Sequence, residues 1–245
     1  MVETRRSLTH DTLFEGKLTV CQEREGYRFS IDAVLLAGLT DFSGGDRIIE
    51  LGTGCGVIPI VLAHRRVTSR KIFGIEIQPE LARLALENAE ANRLDDRIDI
   101  RLMDLRQVSI CFDPASFDLV LSNPPYRKPG SGRINPDRQK AIARHELSSN
   151  LSDFFAAAAH LLPQSGRTAL IYPASRIAHL FNSAHENGFT PKRLTIIHSR
   201  PGDPGRLVHL ECRKGGGEEV RIEPPFYIYE DGAHYSPAMK RLYEE

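Results

Sequence analysis

The four cysteines of the chain, Cys21, Cys55, Cys111 and Cys212, include no CxxC pair. That scatter points neither to a zinc site nor to a disulfide framework and fits free thiols in a reducing cytosol. Long apolar runs are also missing: no stretch approaches the ~18 residues of a membrane span. Met1 to Asp11 is polar and charged, without the apolar centre of a secretion signal. A soluble, cytoplasmic protein is expected, and no His or Cys cluster has ligand spacing, so no metal is expected either. Charge of one sign is absent too. Lys plus Arg and Asp plus Glu number 32 each, so a nucleic-acid site has to be a local patch rather than a field of the whole molecule. Repeats and low-complexity runs are lacking, apart from the Gly215, Gly216, Gly217 turn.

What is present is an ordinary globular composition of 245 residues, 41% hydrophobic and 26% charged, which suits one main α/β domain. β-Rich runs alternate with helical periods from Arg47 onward. Strands are expected at Arg47 to Leu51, Lys71 to Ile77, Ile98 to Leu102, Phe117 to Ser122, Arg167 to Tyr172, Leu194 to His198 and Leu207 to Arg213. Helices are expected at Val57 to Arg66, Pro79 to Asn92, Leu151 to Leu162 and Ser175 to Asn187, the last ended by Gly188. In the second of these, Leu81, Leu84, Ala85 and Asn88 share one face. Such alternation predicts a doubly wound, mainly parallel, seven-stranded Rossmann-like sheet whose final two strands are antiparallel. Residues 1–45 read as a short extension of strands plus one helix, Ile31 to Leu39, and residues 46–245 as the main α/β domain. Ligands of such sheets bind beyond the carboxyl ends of the strands.

The run Glu50, Leu51, Gly52, Thr53, Gly54, Cys55, Gly56 ends the first of these strands. Its glycines let backbone approach a ligand where a Cβ would clash. A dinucleotide site would read GxGxxG, with its third glycine where this chain has Val57; the spacing here is GxGxG. Glu76, at the end of the second strand, is placed to accept hydrogen bonds from ribose hydroxyls, and Asp104, past the third, to meet an adenine amino group. Singly, these residues read equally well as a tight turn and two helix caps. At the ends of successive strands, they point to a nucleoside cofactor.

Directly after the fourth strand stand Asn123, Pro124, Pro125 and Tyr126. The prolines have restricted φ and no N–H, so the turn is rigid and offers acceptors, notably the Pro124 carbonyl, without donors. Asn123 adds a side-chain carbonyl. An exocyclic amine or carboxamide nitrogen is a poor nucleophile because its lone pair is delocalised. Two acceptors gripping its hydrogens favour a pyramidal nitrogen with a localised pair, and such groups matter by ~100- to 1,000-fold in rate. Tyr126 would stack on the flat group carrying that nitrogen. The plainer alternative is a structural turn with a packing tyrosine.

This combination resembles the class I amino-methyltransferases, whose (Asp/Asn/Ser)-Pro-Pro-(Tyr/Phe/Trp) motif matches Asn123 to Tyr126. The resemblance implies S-adenosylmethionine as methyl donor, with Glu50, Gly52, Gly54, Gly56, Glu76, Asp104 and Asn123 around it. More narrowly, Asp11 to Leu18 with Gln22, then Gly26 to Asp32, is similar to the bacterial tRNA1(Val) adenine N6-methyltransferase family, whose members modify the adenine next to the anticodon. Arg144, His145, Glu146 and the tail from Pro224 to Tyr229, then Gly232 and Tyr235, extend that likeness over nearly the whole chain. It implies that Phe29 and Asp32 lie against the methionine end of the cofactor; from the residues alone they are a strand end and a helix cap.

Arg127, Lys128, Arg133, Arg138, Lys140 and Arg144 face the single acid Asp137 in a Gly- and Pro-containing loop beside the motif. Such a patch can hold the phosphates of a tRNA, and equally reads as a solvated loop. The rival substrate is a protein glutamine, since release-factor methyltransferases grip a side-chain amide with the same motif. Those enzymes typically carry a helical N-terminal domain, which is not expected in some 45 residues before the first core strand; this disfavours the protein substrate without removing it. A third reading is a nonenzymatic RNA-binding protein on this scaffold, which an eroded glycine loop would have favoured; the loop is intact.

Overall fold

The computed structural model describes residues 8–24, 29–124 and 151–244. β1 (Leu8–Leu13) and β2 (Leu18–Glu23) form an antiparallel hairpin of their own. α1 (Ile31–Leu39) begins at Ser30, whose Oγ accepts the Asp32 N–H. There follow β3 (Ile48–Leu51), α2 (Val57–Arg65), β4 (Ile72–Glu76), α3 (Pro79–Ala91), β5 (Ile98–Leu102), α4 (Val108–Cys111) and β6 (Leu119–Ser122). Past the segment that is not described come α5 (Leu151–Leu161), β7 (Arg167–Pro173), α6 (Ile177–Glu186), β8 (Phe189–His198) and β9 (Gly205–Lys214). The tail adds β10 (Arg221–Ile222), β11 (Phe226–Tyr227), the pair β12 (Tyr229–Asp231) and β13 (His234–Tyr235), and α7 (Pro237–Glu244).

The main sheet runs in the order β10, β8, β9, β7, β6, β3, β4, β5, with β11 also on β8. All seven expected strands are in it. Two short segments, β10 and β11, pair parallel to β8 and bring the sheet to nine strands. β3, β4, β5, β6 and β7 pair in parallel, and β9 lies antiparallel between β7 and β8, as the sequence pattern suggests.

Strand residues alternate between two cores, as a period of two requires. Ile48, Leu119, Leu121, Ala169 and Ile171 pack with residues of α1, α2 and α3, while Ile49, Val120, Leu170 and Tyr172 pack with α5 and α6. Helices cover both faces, so β3 is buried on both sides and reads as an apolar run. Leu13, Phe14, Leu18, Val20 and Ala33 to Ala37 belong to the first core, so the N-terminal extension is built into the same interior as the sheet.

The order of strands fixes where a ligand can bind. From β3 the chain moves outward to β4 and β5, then returns to β6 on the opposite side of β3. At that reversal the connections leave in opposite directions and open a crevice at the carboxyl ends. The glycine loop leaves β3 and Asn123 leaves β6 there, on adjacent parallel strands ~4.8 Å apart.

Candidate active site

Gly52, Gly54 and Gly56 all take left-handed conformations, with φ of 79°, 59° and 82°. Their tasks differ. A Cβ on Gly52 would meet nothing within 4 Å, so this glycine faces open space. A Cβ on Gly56 would lie 3.0 Å from the Ala85 Cβ, so this one permits α2 to start tightly against α3. The N–H groups of Gly52 and Thr53 both donate to the Ile75 carbonyl at 2.9 Å, which ties the loop to β4.

Two carboxylates hold the loop from inside. Glu76 is buried; its Oε2 accepts the Gly54 N–H at 2.9 Å and its Oε1 the Gln78 N–H at 2.9 Å. The Ile77 N–H and the Gln78 side chain act on the same carboxylate as further donors. Burial pushes its pKa up, against the hydrogen bonds from backbone N–H groups. Glu50 is 1% exposed and accepts the Thr53 hydroxyl at 2.6 Å. Burial raises its pKa to about 8; the Thr53 hydrogen bond opposes this and the charge of Glu76 adds to it.

Asn123 and Pro124 are half-buried at the end of β6. Ser122, just before them, is buried and donates from Oγ to the Leu51 carbonyl at 2.8 Å. One hydroxyl thus locks the strand that carries Asn123 to the strand that carries the glycine loop. Asp104 lies just past β5, where its carboxylate accepts the Arg106 N–H at 2.9 Å and pairs with the Arg106 guanidinium. That ion pair holds its carboxyl below the usual range. The helix-cap role left open for Asp104 is therefore realised, in partnership with Arg106. Phe29 packs on the first core and donates its N–H to Gln22 Oε1 at 3.0 Å; Asp32 stands in the first turn of α1. Pro125, Tyr126 and the basic residues Arg127, Lys128, Arg133, Arg138, Lys140 and Arg144 lie outside the described residues.

Four residues take positioning roles that the motifs did not assign: Thr53, Ser122, Gln22 as an anchor of Phe29, and Asn88, which reaches the Cys55 carbonyl from α3 at 2.9 Å. For Asn88 a signal was there, a polar residue on the apolar face of its helix.

A methyltransferase domain family model matches residues 42–193. A tRNA1(Val) (adenine(37)-N6)-methyltransferase of Porphyromonas gingivalis W83 is 36% identical over 241 residues, covering 94% of this chain and 91% of the relative. The chain belongs to this family of methyltransferases. A second member, from Tolumonas auensis, is 28% identical over 224 residues, 91% of each chain. Among solved structures, a predicted O-methyltransferase from Agrobacterium tumefaciens superposes with a TM-score of 0.69 at 22% identity, over 86% of this chain and 95% of that one. TrmN from Thermus thermophilus gives 0.54 at 23% identity, over 74% of this chain and 48% of that one. These two likenesses speak for the fold.

The methyl donor of this methyltransferase is S-adenosylmethionine, and the site suits it. The molecule carries a sulfonium and an ammonium against one carboxylate, a net positive charge. Glu50 and Glu76 lie buried beside the glycine loop, and burial raises both pKa values. A positive ligand favours the charged form of such buried carboxylates. Among the described residues no group of His, Cys, Asp or Glu could hold a metal ion, and no helix is long and apolar enough to cross a membrane.

Proposed function

We propose that this chain methylates N6 of an adenine in tRNA, the adenine 37 for which its relatives are named, working in the cytoplasm where tRNA is found. The observation that carries the reading is the hydrogen bond from Ser122 to Leu51, which sets the Asn123, Pro124 turn beside the glycine loop.

Bound S-adenosylmethionine supplies an electrophilic methyl group on a sulfonium. Gly52 would leave room for it against the loop, and Glu76 would accept hydrogen bonds from its ribose. Phe29, just before α1, and Asp32, in its first turn, would hold the methionine end, and Asp104, past β5, would meet the adenine. On the acceptor side, the Asn123 side-chain carbonyl and the Pro124 carbonyl take the two N6 hydrogens and localise the nitrogen lone pair. Pro125 holds the turn rigid and Tyr126 stacks on the target adenine. Arg127, Lys128, Arg133, Arg138, Lys140 and Arg144 hold phosphates of the tRNA. With its lone pair localised, the nitrogen would take up the methyl group that bound S-adenosylmethionine supplies, and its surplus proton would pass to water. Alignment and the two acceptors account for the acceleration.

The test is transfer from labelled S-adenosylmethionine to unmodified tRNA, with nucleoside mass spectrometry of the digest. Label in N6-methyladenosine is expected. Unlabelled RNA alongside methylglutamine in an added release factor would replace the RNA substrate by a protein.

A further inference from the structure

Among the described residues, the edge of β2 facing away from β1 pairs with no strand. Asn88 on α3 and Asn92, the residue that caps its C-terminus, take that place. Asn92 Oδ1 accepts the Thr19 N–H at 2.9 Å and its Nδ2 donates to the Thr19 carbonyl at 2.7 Å. Asn88 repeats the pattern two residues along β2: Oδ1 accepts the Cys21 N–H at 2.7 Å and Nδ2 donates to the Cys21 carbonyl at 2.9 Å. Side-chain amides on one helical face thus imitate the peptide groups of a missing strand, since the i, i+4 step of a helix matches alternate residues of a strand in reach.

Asn88 does one thing more. Its second amide hydrogen goes to the Cys55 carbonyl, between Gly54 and Gly56, at 2.9 Å. The side chain is 1% exposed, and both Nδ2 hydrogens and the Oδ1 acceptor are used. A buried amide satisfied on all sides tolerates little displacement, because a lost partner leaves a desolvated polar group unpaired. The loop is then clamped twice by the second βα unit: Glu76 fixes the Gly54 N–H and Asn88 fixes the Cys55 carbonyl. β2 carries the clamp onward, since Gln22, next to Cys21, holds the Phe29 N–H at 3.0 Å.

We infer that Asn88 is a positioning residue that couples the docking of the β1–β2 hairpin to the conformation of the glycine loop, so that hairpin docking and S-adenosylmethionine binding reinforce one another. The inference rests on the glycine loop being the cofactor site. Coupling between two equilibria is reciprocal, and typical strengths are about 5- to 150-fold. The factor by which cofactor protects the hairpin from opening is therefore the factor by which the docked hairpin tightens the cofactor.

The experiment is amide hydrogen exchange of β2, with and without S-adenosylmethionine, on the wild type, Asn88→Ala, Asn88→Asp and Asn92→Ala, with calorimetry of cofactor binding. Calorimetry on the wild type separates the two claims, because a wild type that binds no S-adenosylmethionine refutes the cofactor site itself. With binding established, cofactor is expected to slow exchange at Thr19 and Cys21 by at least about fivefold. In Asn92→Ala, basal exchange should quicken while the protection persists, for the link to Cys55 is untouched. In both Asn88 variants the protection should vanish, the KM for S-adenosylmethionine should rise about tenfold, and kcat at saturation should stay within about threefold. Asn88→Asp keeps an acceptor for the Cys21 N–H but loses both donated bonds, so it should behave like the alanine. Wild-type exchange that ignores the cofactor overturns the coupling, as does protection that survives in the Asn88 variants.

Discussion

Asn123 and Glu76 stand on either side of β3, and the geometry separates their tasks. In the proposed mechanism Asn123 borders the acceptor nitrogen, so Asn123→Ala should lower kcat by ~100- to 1,000-fold and leave cofactor affinity within about twofold. Glu76 is assigned there to the donor: its two oxygens hold Gly54 and Gln78 at the end of β4, where ribose would lie. Glu76→Ala should weaken S-adenosylmethionine by about 10- to 100-fold, the scale of hydrogen bonds to a charged group. Titration calorimetry and single-turnover rates on both variants check the division, and a crossed pattern would exchange the assignments. Glu50 makes a pH prediction. Its carboxyl titrates at about 8 in the folded chain against an ordinary 4.5, with burial as the main cause. Between those values the native state keeps a proton that the unfolded chain has released, so stability falls as pH rises through the window, by on the order of a few kcal/mol. Glu50→Gln removes the effect: its melting temperature should exceed that of the wild type at pH 8, with the gap closing toward pH 4.5. A cation at the site pulls the proton off, so S-adenosylmethionine binding near pH 7 should release protons, seen as a binding enthalpy that changes with buffer. S-adenosylhomocysteine, without the sulfonium, should release fewer; buffer-independent enthalpies for both would show that Glu50 does not sense the ligand.

Among elements, the glycine loop separates folding from binding within five residues. Gly52 and Gly56 share a left-handed backbone, so an alanine at either carries ~1 to 2 kcal/mol of conformational strain. Beyond that strain the effects diverge. Gly56→Ala drives a Cβ against Ala85 and should lower the melting temperature further, with cofactor affinity following stability. Gly52→Ala meets no protein atom, so it should melt only a few degrees below the wild type yet lose S-adenosylmethionine by tenfold or more. Melting curves with and without cofactor distinguish the two, and full cofactor stabilisation of Gly52→Ala would remove the ligand from that space. The same elements show what was legible beforehand. β3 and β4 follow apolar patterning because parallel central strands bury both faces, whereas β5, at the sheet edge, alternates apolar Ile98 and Ile100 with Asp99 and Arg101. β8 is longer than its apolar run suggests, beginning at Phe189 rather than near Leu194. Its early part contains Pro191, which a regular interior strand does not accept; the chain admits it where the register with β9 shifts between Pro191 and Arg193. β10 and β11 are two residues each, too short for any alternation, and exist because β8 offers them an edge. Phe117 lies outside β6, drawn into an edge-to-face group with Phe73 and Phe112.

For the whole molecule, charge balance sets a concentrated basic patch against a remainder that carries an excess of acids. Equal totals of acids and bases give no long-range attraction for tRNA, so in the proposed function recognition rests on the segment after the motif, where six basic residues meet one acid in a short stretch of sequence. The site's chemistry was legible because it resides in backbone-determining residues, glycine and proline, at strand ends. Its support was legible only in part: Thr53 reaches Glu50 three residues away within the loop and Asn88 stands out as a polar residue on an apolar helix face, but the partners of Ser122 and Asn88 lie on segments far apart in the chain, which no local pattern encodes. The division of charge has a measurable consequence. Each phosphate contact releases counterions, so log Kd for tRNA should rise with log salt at a slope near 0.7 to 0.9 per contact. If the six residues make most of the contacts, Arg133→Ala with Arg138→Ala should cut the slope by about 1.4 to 1.8 and weaken tRNA binding at low salt. Cofactor affinity should not change, since neither residue belongs to the glycine loop, and kcat at saturating tRNA should stay near wild type because Asn123 and Pro124 are intact. A double variant with an unaltered slope would show that the phosphates are held elsewhere, and one with a lower kcat but the same slope would mean that the segment orders the catalytic turn rather than binding the RNA backbone.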